Sequence, residues 1–172
     1  MGRARYIKRY AETEETMSVL KNERKESKFE VFHQAYKLRK DLTDFLLRDF
    51  GYRKLDKPCE NEKQQIRREA FEEWFIVDER KYVLNLLRSL LRNITVANNI
   101  FPTNLAELEE RRLLQDKAVG DCYNILQELQ YTIETLPVDV NKYTRFALQL
   151  EKVINLIKAW RKSDNRFKKQ IK

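Results

Sequence analysis

The C-terminal end of the chain carries the densest group of side chains that could bind an anion. Between residues 158 and 172 there are seven basic residues and a single acid, Asp164, which together give +6 of the chain's formal net charge of +8. A basic cluster at the end of a helical segment favours an anionic partner, and nucleic acid is the first candidate. The basic residues are Lys158, Arg161, Lys162, Arg166, Lys168, Lys169 and Lys172.

Residues that could perform catalysis or bind a metal are few. The only histidine, His33, follows Glu30 by three positions, and this Glu-x-x-His pair occurs in the di-iron sites of helical bundles. Those sites need the pair on two helices, so the usual di-iron site is excluded. Neither Cys59 nor Cys122 has a histidine at a spacing typical of a nucleophile, and no glycine-rich phosphate loop is present. We therefore expect a non-enzymatic protein with no metal and no cofactor.

Few turn-forming residues interrupt the chain, which has three glycines and three prolines in 172 residues. Strand-rich folds need more of them, so the composition predicts an all-α protein. No run approaches the ~18 apolar residues of a membrane span, and the N-terminus has no apolar signal segment. The two cysteines do not resemble a disulfide framework. These features predict a cytoplasmic protein that does not enter a membrane.

Apolar residues recur at spacings of four and three along four segments, as in amphipathic helices. We predict helices over about 29–50, 78–101, 103–136 and 139–166, with Asp78 and either Asp139 or Asn141 as N-caps and Gly51 as a left-handed C-terminal stop. The stripes are Val31, Ala35, Leu38, Leu42 and Phe45; Val83, Leu87, Leu90, Ile94 and Ala97; Cys122, Leu126, Leu129, Ile133 and Leu136; and Tyr143, Phe146, Leu150, Val153, Ile157 and Trp160.

These helices predict an antiparallel up-down-up-down four-helix bundle over residues 28–165. A charged N-terminal arm over 1–27 precedes it, a long polar connector over 52–75 joins helices one and two, and a basic tail over 166–172 follows. The second half of the connector is compatible with a short helix that ends in Trp74 and Phe75. Helix three is irregular, because its stripe traced backwards places Gln115 and Arg112 at core positions. Gly120 lies in the middle of the same helix at a cost of about 1 kcal/mol relative to alanine, and we attribute it to the close approach of another helix.

Two further sets of residues are candidates for partner contacts. Arg88 and Arg92 share a face of helix two with Lys81, although solvated helix faces commonly carry such residues. Four leucines lie outside the main stripes and predict a homo-oligomer or partner interface. A wide core-facing stripe explains some of them equally well, but it explains Leu148 poorly. The leucines are Leu84, Leu91, Leu148 and Leu156.

Two runs of the sequence resemble a known family. They are FHQAYKLRKDLTDFLLRDFGY (residues 32–52) and CYNILQELQYTIETLPVDVNKYTRFALQLEKVINLIKAWRKSDNRFKK (residues 122–169). Both are similar to the accessory variability proteins of diversity-generating retroelements, which belong to a wider group of four-helix-bundle proteins. The resemblance is a pattern of helices and loops, not a catalytic motif.

The resemblance implies a basic bundle that assembles as a pentamer, binds template RNA or cDNA, and associates with a reverse transcriptase that supplies the polymerase active site. In that system RNA is copied into cDNA that carries mutations at adenines. The positions that look most like the family's nucleic-acid and polymerase surface are Lys158, Arg161, Lys162 and Arg166, with Arg88 and Arg92 added.

Three functional hypotheses follow. The leading one is a non-catalytic nucleic-acid-binding subunit of a reverse-transcriptase complex. The alternative is a helical adaptor that binds only protein, whose basic end merely increases solubility. A third, an enzyme, requires a site that the sequence does not reveal.

Overall fold

Four long helices and one short helix make up the part of the chain that this computed structural model describes, which is residues 29–48, 50–52, 62–168 and 171. The helices are α1 (Glu30–Leu47), α2 (Glu62–Asn99), α3 (Leu105–Thr135), α4 (Val140–Ser163) and α5 (Asn165–Lys168). Among those residues the β-pairing is limited to an isolated bridge between Tyr52 and Val138. The prediction of an all-α protein is therefore confirmed, and the predicted arm over 1–27 lies outside the described residues.

The apolar stripes of α1, of the second half of α2 and of α4 are buried as predicted. Each residue of the first two stripes is at most 5% exposed, and on α4 only Trp160, at the end of the stripe, is half-buried. The regular spacing of apolar residues was sufficient to identify these faces, because every position of these three stripes is apolar.

The α3 stripe is displaced from its predicted position by one residue at two places. Ile125 and Thr132 are fully buried, whereas Leu126 and Ile133, which we predicted in the core, are half-buried. Polar side chains in the N-terminal half of the true stripe obscured it, because Arg111 and Gln115 lie at core positions. Gln115 is buried as predicted, but the other polar residue of the stripe is Arg111 and not Arg112, which is half-buried.

Helix α2 begins much earlier than predicted. Residues 62–75, which we assigned to a polar connector compatible with a short helix in its second half, belong to one continuous helix of 38 residues, so Asp78 is not an N-cap. The core face of this first part carries carboxylates, because Glu72 and Glu79 are buried beside Phe75. A search for apolar periodicity does not detect a helix whose core positions are occupied by glutamate.

The junction after α1 needs a left-handed backbone. Phe50 and Gly51 have φ angles of 54° and 69°, as predicted for a helix stop at Gly51. A Cβ at Gly51 would lie 2.9 Å from the ring of Tyr143. The Tyr143 hydroxyl donates to the Phe50 carbonyl at 2.5 Å, and the Asp139 amide donates to the Gly51 carbonyl at 2.9 Å. These bonds fix the end of α1 against the start of α4.

Gly120 does not mark a close helix contact, contrary to our prediction. A Cβ added at this position would meet no atom within 4 Å. The glycine therefore weakens α3 without a packing reason within the described part of the chain.

Along each pair of contacting helices, residue numbers rise on one helix as they fall on the other. Helix α2 packs against α3, and α3 packs against α4. Between α2 and α3 the contacting pairs include Phe75 with Tyr131 and Asn93 with Asp121. Between α3 and the C-terminal end of α4 they include Arg111 with Asp164 and Tyr123 with Lys158. Between α1 and α4 they include Asp41 with Gln149 and Phe45 with Phe146.

Candidate nucleic-acid interface

The basic end of the chain begins on α4 and continues through a turn into α5. The fourth helix ends at Ser163, three residues earlier than predicted, and Asp164 forms the turn before α5. Five of the predicted binding residues are exposed there: Lys158, Arg161, Lys162, Arg166 and Lys168. Lys169 lies outside the described residues.

Asp164, the only acid of this basic stretch, is completely buried. Its carboxylate accepts hydrogen bonds from Arg111 Nε at 2.7 Å and Arg111 Nη2 at 3.1 Å, which makes a bidentate ion pair. Gln115 Nε2 donates a third bond at 2.7 Å. The two polar residues that broke the α3 stripe thus hold the turn at the end of α4.

The Arg111 guanidinium joins four helices at one point. Its Nη1 donates to the carbonyls of Ala97 at 2.9 Å and Ile100 at 2.7 Å, which lie at the C-terminal end of α2. Helix-terminal carbonyls lack intrahelical partners, so Arg111 satisfies two such groups. Its guanidinium also lies 4.9 Å from the Trp160 ring centroid and 5.6 Å from that of Phe167. Phe167 is 4% exposed, so α5 is packed onto the helices.

The burial of Asp164 leaves the exposed charges of residues 158–168 uniformly positive. One cation is compensated from outside the stretch, because Arg161 Nη1 pairs with Asp116 Oδ1 on α3 at 2.6 Å. Another, Lys158, lies 5.7 Å from the Tyr123 ring centroid, with its Nζ 3.3 Å from the hydroxyl. Lys162 and Arg166 are exposed on successive turns.

Arg112, which we predicted at a core position of α3, is half-buried and lies beside the basic end of the chain. Its Nη2 donates to Asn165 Oδ1 at 2.6 Å. These two residues are 53 positions apart, so no local spacing could have brought them together.

Arg161 and Lys162 have a structural role as well, since cations in the last turn of a helix interact favourably with its dipole.

Arg88 and Arg92 are exposed on α2 but do not join the cluster on α4. Arg88 Nη1 donates to Asn85 at 3.1 Å, and the positive charge of Arg92 acts on Asp121 of α3. Tyr123, which contacts Lys158, lies two residues and about 200° around α3 from Asp121. Helix α3 therefore separates the two basic sets.

The four leucines of the predicted interface have different environments. Leu148 is 63% exposed, and Leu84 and Leu156 are half-buried. Leu91 is only 7% exposed, so it belongs to the core of the chain and not to a free surface. The wide-stripe explanation accounts for Leu91.

Away from the basic end, the buried Glu79 of α2 shares a hydrogen bond with the half-buried Glu128 of α3. Glu79 is 6% exposed, and one of its oxygens, Oε1, has no hydrogen-bond partner. Burial raises the pKa of Glu79 to about 7, and the charges of Glu128 and Asp78 raise this pKa further. Glu79 is therefore substantially protonated near neutral pH and shares a hydrogen bond with Glu128.

Cys122 and His33, the candidates for catalysis that the structure describes, have different environments. Cys122 is fully buried, and burial raises the pKa of its thiol to about 12, which makes it a poor nucleophile. His33 is exposed, and Cys59 lies outside the described residues. Among the described residues, no group of three or more histidines, cysteines or acids is placed to hold a metal. The described helices include none with the length and apolar character needed to cross a membrane.

No protein-family profile, curated protein or solved structure matches this chain.

Proposed function

We propose that this chain is a non-catalytic nucleic-acid-binding protein whose binding surface is the basic end formed by α4 and α5. The observation that carries the proposal is the burial of Asp164 by Arg111, because it removes the single negative charge from an otherwise positive stretch. The cations are also held in a defined array, since Phe167 packs α5 against the helices. A merely solubilising tail needs neither feature.

The binding chemistry is contact with phosphate. Lysine and arginine side chains on an exposed helix end neutralise phosphates and release counterions, without reading base identity. Binding by this surface is therefore tolerant of sequence and weakens steeply as salt rises. Specificity for one template would come from a partner protein or from RNA shape.

The finer proposal is an accessory subunit of a diversity-generating retroelement reverse transcriptase, in which the chain supports mutagenic cDNA synthesis. It rests on the family resemblance of residues 32–52 and 122–169. This finer proposal includes an up-down-up-down helix order and a pentameric assembly. The oppositely directed contacts along α1–α4, α2–α3 and α3–α4 support that helix order, and the exposed Leu148 supports an interface between copies. A neighbouring reverse-transcriptase gene, beside near-repeats that differ at adenines, is the observation that tests this proposal.

The binding proposal is tested by fluorescence anisotropy with labelled RNA and DNA across a salt series. A variant carrying Lys162→Gln, Arg166→Gln and Lys168→Gln should lower the salt slope by about 2 on single strands or about 2.7 on duplex DNA. The matched control carries Lys37→Gln, Lys40→Gln and Lys117→Gln, which remove the same charge from exposed positions on α1 and α3. Equal slopes for both variants contradict the assignment of the surface.

The competing function is a helical adaptor that binds only protein. The exposure of Leu148 and of several aromatic residues favours some protein contact. Absence of nucleic-acid binding by the wild-type chain at low salt would exclude the nucleic-acid-binding proposal and leave the adaptor as the competing one.

A further inference from the structure

A second basic surface runs along α2, on the side opposite its buried face. Four residues recur at intervals of seven, Arg67, Trp74, Lys81 and Arg88, and Arg92 follows one turn later. At 100° per residue these five side chains fall within about 60° of arc and extend over about 38 Å of helix. All five are exposed. We call these five residues the α2 row.

The charges of α2 are unevenly distributed around the helix, with most acids away from the α2 row. Four of the acids from Glu69 onward lie about 60° or more outside the sector of the α2 row: Glu69, Glu72, Glu73 and Glu79. Asp78 lies only about 20° beyond its edge, one turn from both Trp74 and Lys81, and is exposed. The other positions in that sector are basic, small or amide residues, namely Lys63, Ala70, Asn85 and Asn99. Arg68 and Arg80, the basic residues of α2 outside the sector, bind Glu72 and the Leu46 carbonyl. The α2 row is therefore bordered by a single acid, Asp78, and its excess of positive charge favours an anion.

Trp74 gives the α2 row a second property. Its indole is 60% exposed although tryptophan is a large apolar side chain. The ring of Phe71 lies 6.0 Å from it, centroid to centroid, and supports it from one side. An exposed, supported aromatic ring between cations along one line is the arrangement that binds single strands, because bases stack on the ring while phosphates meet the cations.

We infer that the α2 row binds single-stranded nucleic acid, with an unpaired base stacked on Trp74 and phosphates on the flanking lysine and arginines. Duplex DNA is excluded from the stacking contact because its bases are not exposed at their faces. Ring faces and phosphates do not report the 2′-hydroxyl, so DNA and RNA single strands bind alike. The inference deepens the proposed nucleic-acid binding and rests on it, but it names a different helix and a different contact.

The test measures the affinity of the full chain for a labelled strand of about 16 nucleotides, the upper site size of an OB fold that binds single strands. The strand is used as DNA, as RNA, as a duplex and as an abasic deoxyribose-phosphate strand. Trp74→Ala should weaken binding of both base-containing single strands about 5- to 100-fold. It should leave the duplex and the abasic strand unchanged.

A charge variant and an optical signal test the remaining contacts. Lys81→Gln with Arg88→Gln should lower the single-strand salt slope by about 1.4, whereas Lys37→Gln with Lys40→Gln on α1 should not. The chain has two tryptophans, so in a Trp160→Phe background the fluorescence reports Trp74 alone. Binding of a single strand should quench that fluorescence, and the abasic strand should not.

The outcomes separate this inference from the broader proposal. If Trp74→Ala binds single strands as the wild type does, or if it weakens single strand and duplex equally, the stacking site on the α2 row is wrong. Nucleic-acid binding by the end of α4 then stands if the variant of Lys162, Arg166 and Lys168 still lowers the salt slope. Failure of the wild-type chain to bind any of the four probes at low salt removes both.

Discussion

Arg111 and Asp164 form a bidentate ion pair across 53 residues of chain, and Asp164 in that pair has no exposed surface. The pair links α3 to the turn between α4 and α5. It is both a structural contact and the reason that the exposed charges of residues 158–168 are all positive.

Removing one partner of this pair should be severely destabilising. Asp164→Leu leaves the Arg111 charge buried and unpaired, for which we expect a loss of about 3–5 kcal/mol in the free energy of unfolding. Arg111→Met should cost a similar amount. The loss in unfolding free energy of the double variant should be substantially smaller than the sum of the two single losses, because no unpaired charge remains. Denaturant unfolding of the four proteins measures this coupling, and strict additivity would contradict it.

Substitution of Gly51 and of Gly120 by alanine should change the unfolding free energy in opposite directions. Gly120→Ala should stabilise the fold by about 0.5–1 kcal/mol, because the site is helical and has room for a methyl group. Gly51→Ala should destabilise it, since that residue has a φ of 69° and the new Cβ would clash with Tyr143. Thermal unfolding compares them. A destabilised Gly120→Ala protein would show that a contact occupies this position.

Stability should depend on pH through Glu79. Its folded pKa of about 7 is above its ordinary value of 4.5, so the folded state holds the proton more tightly than the unfolded state. This contribution is fully present below about pH 4.5 and is lost as pH rises through 7, for a total of about 3 kcal/mol. Glu79→Gln keeps the hydrogen-bonding shape and should remove this pH dependence. Unfolding curves of the two proteins that remain parallel between pH 4.5 and 8 would contradict the assignment.

Leu148 and Leu91 should separate assembly from folding. Leu148→Glu should leave the unfolding free energy within about 0.5 kcal/mol of wild type and shift sedimentation toward smaller species, because this side chain is 63% exposed. Leu91→Ala should instead cost about 2–5 kcal/mol, as expected for a buried leucine. A wild-type chain that sediments as a monomer at tens of micromolar would contradict the proposed interface.

The parts of the fold that could be predicted are those in which apolar residues occupy every core position. That condition holds on α1 and α4, and the stripes containing Leu38 and Leu150 were identified correctly. It fails at Glu72 and Glu79 on α2, where the helix start was misplaced, and at Arg111 on α3. Each exception is a polar residue whose burial depends on contacts that exist only in the folded chain. A local pattern carries no information about such contacts.

The candidate site shows the same division. The exposure of Lys162 and Arg166 could be predicted from composition, since an isolated basic stretch remains solvated. The burial of Asp164 could not, because its partner is on another helix. The α2 row was hidden for a different reason. Its seven-residue spacing from Arg67 to Arg88 has meaning only when residues 62–77 are recognised as helical.

The hydrogen bond from Tyr143 to the Phe50 carbonyl has a consequence for the order of folding. Short connections join α2 to α3 and α3 to α4, so those helices can pair as hairpins of local contacts. The end of α1 meets α4 across 93 residues, and closing so large a loop is slow. We therefore expect α1 to dock last as the chain folds. Its amide protons should be the first of the four long helices to exchange with deuterated solvent.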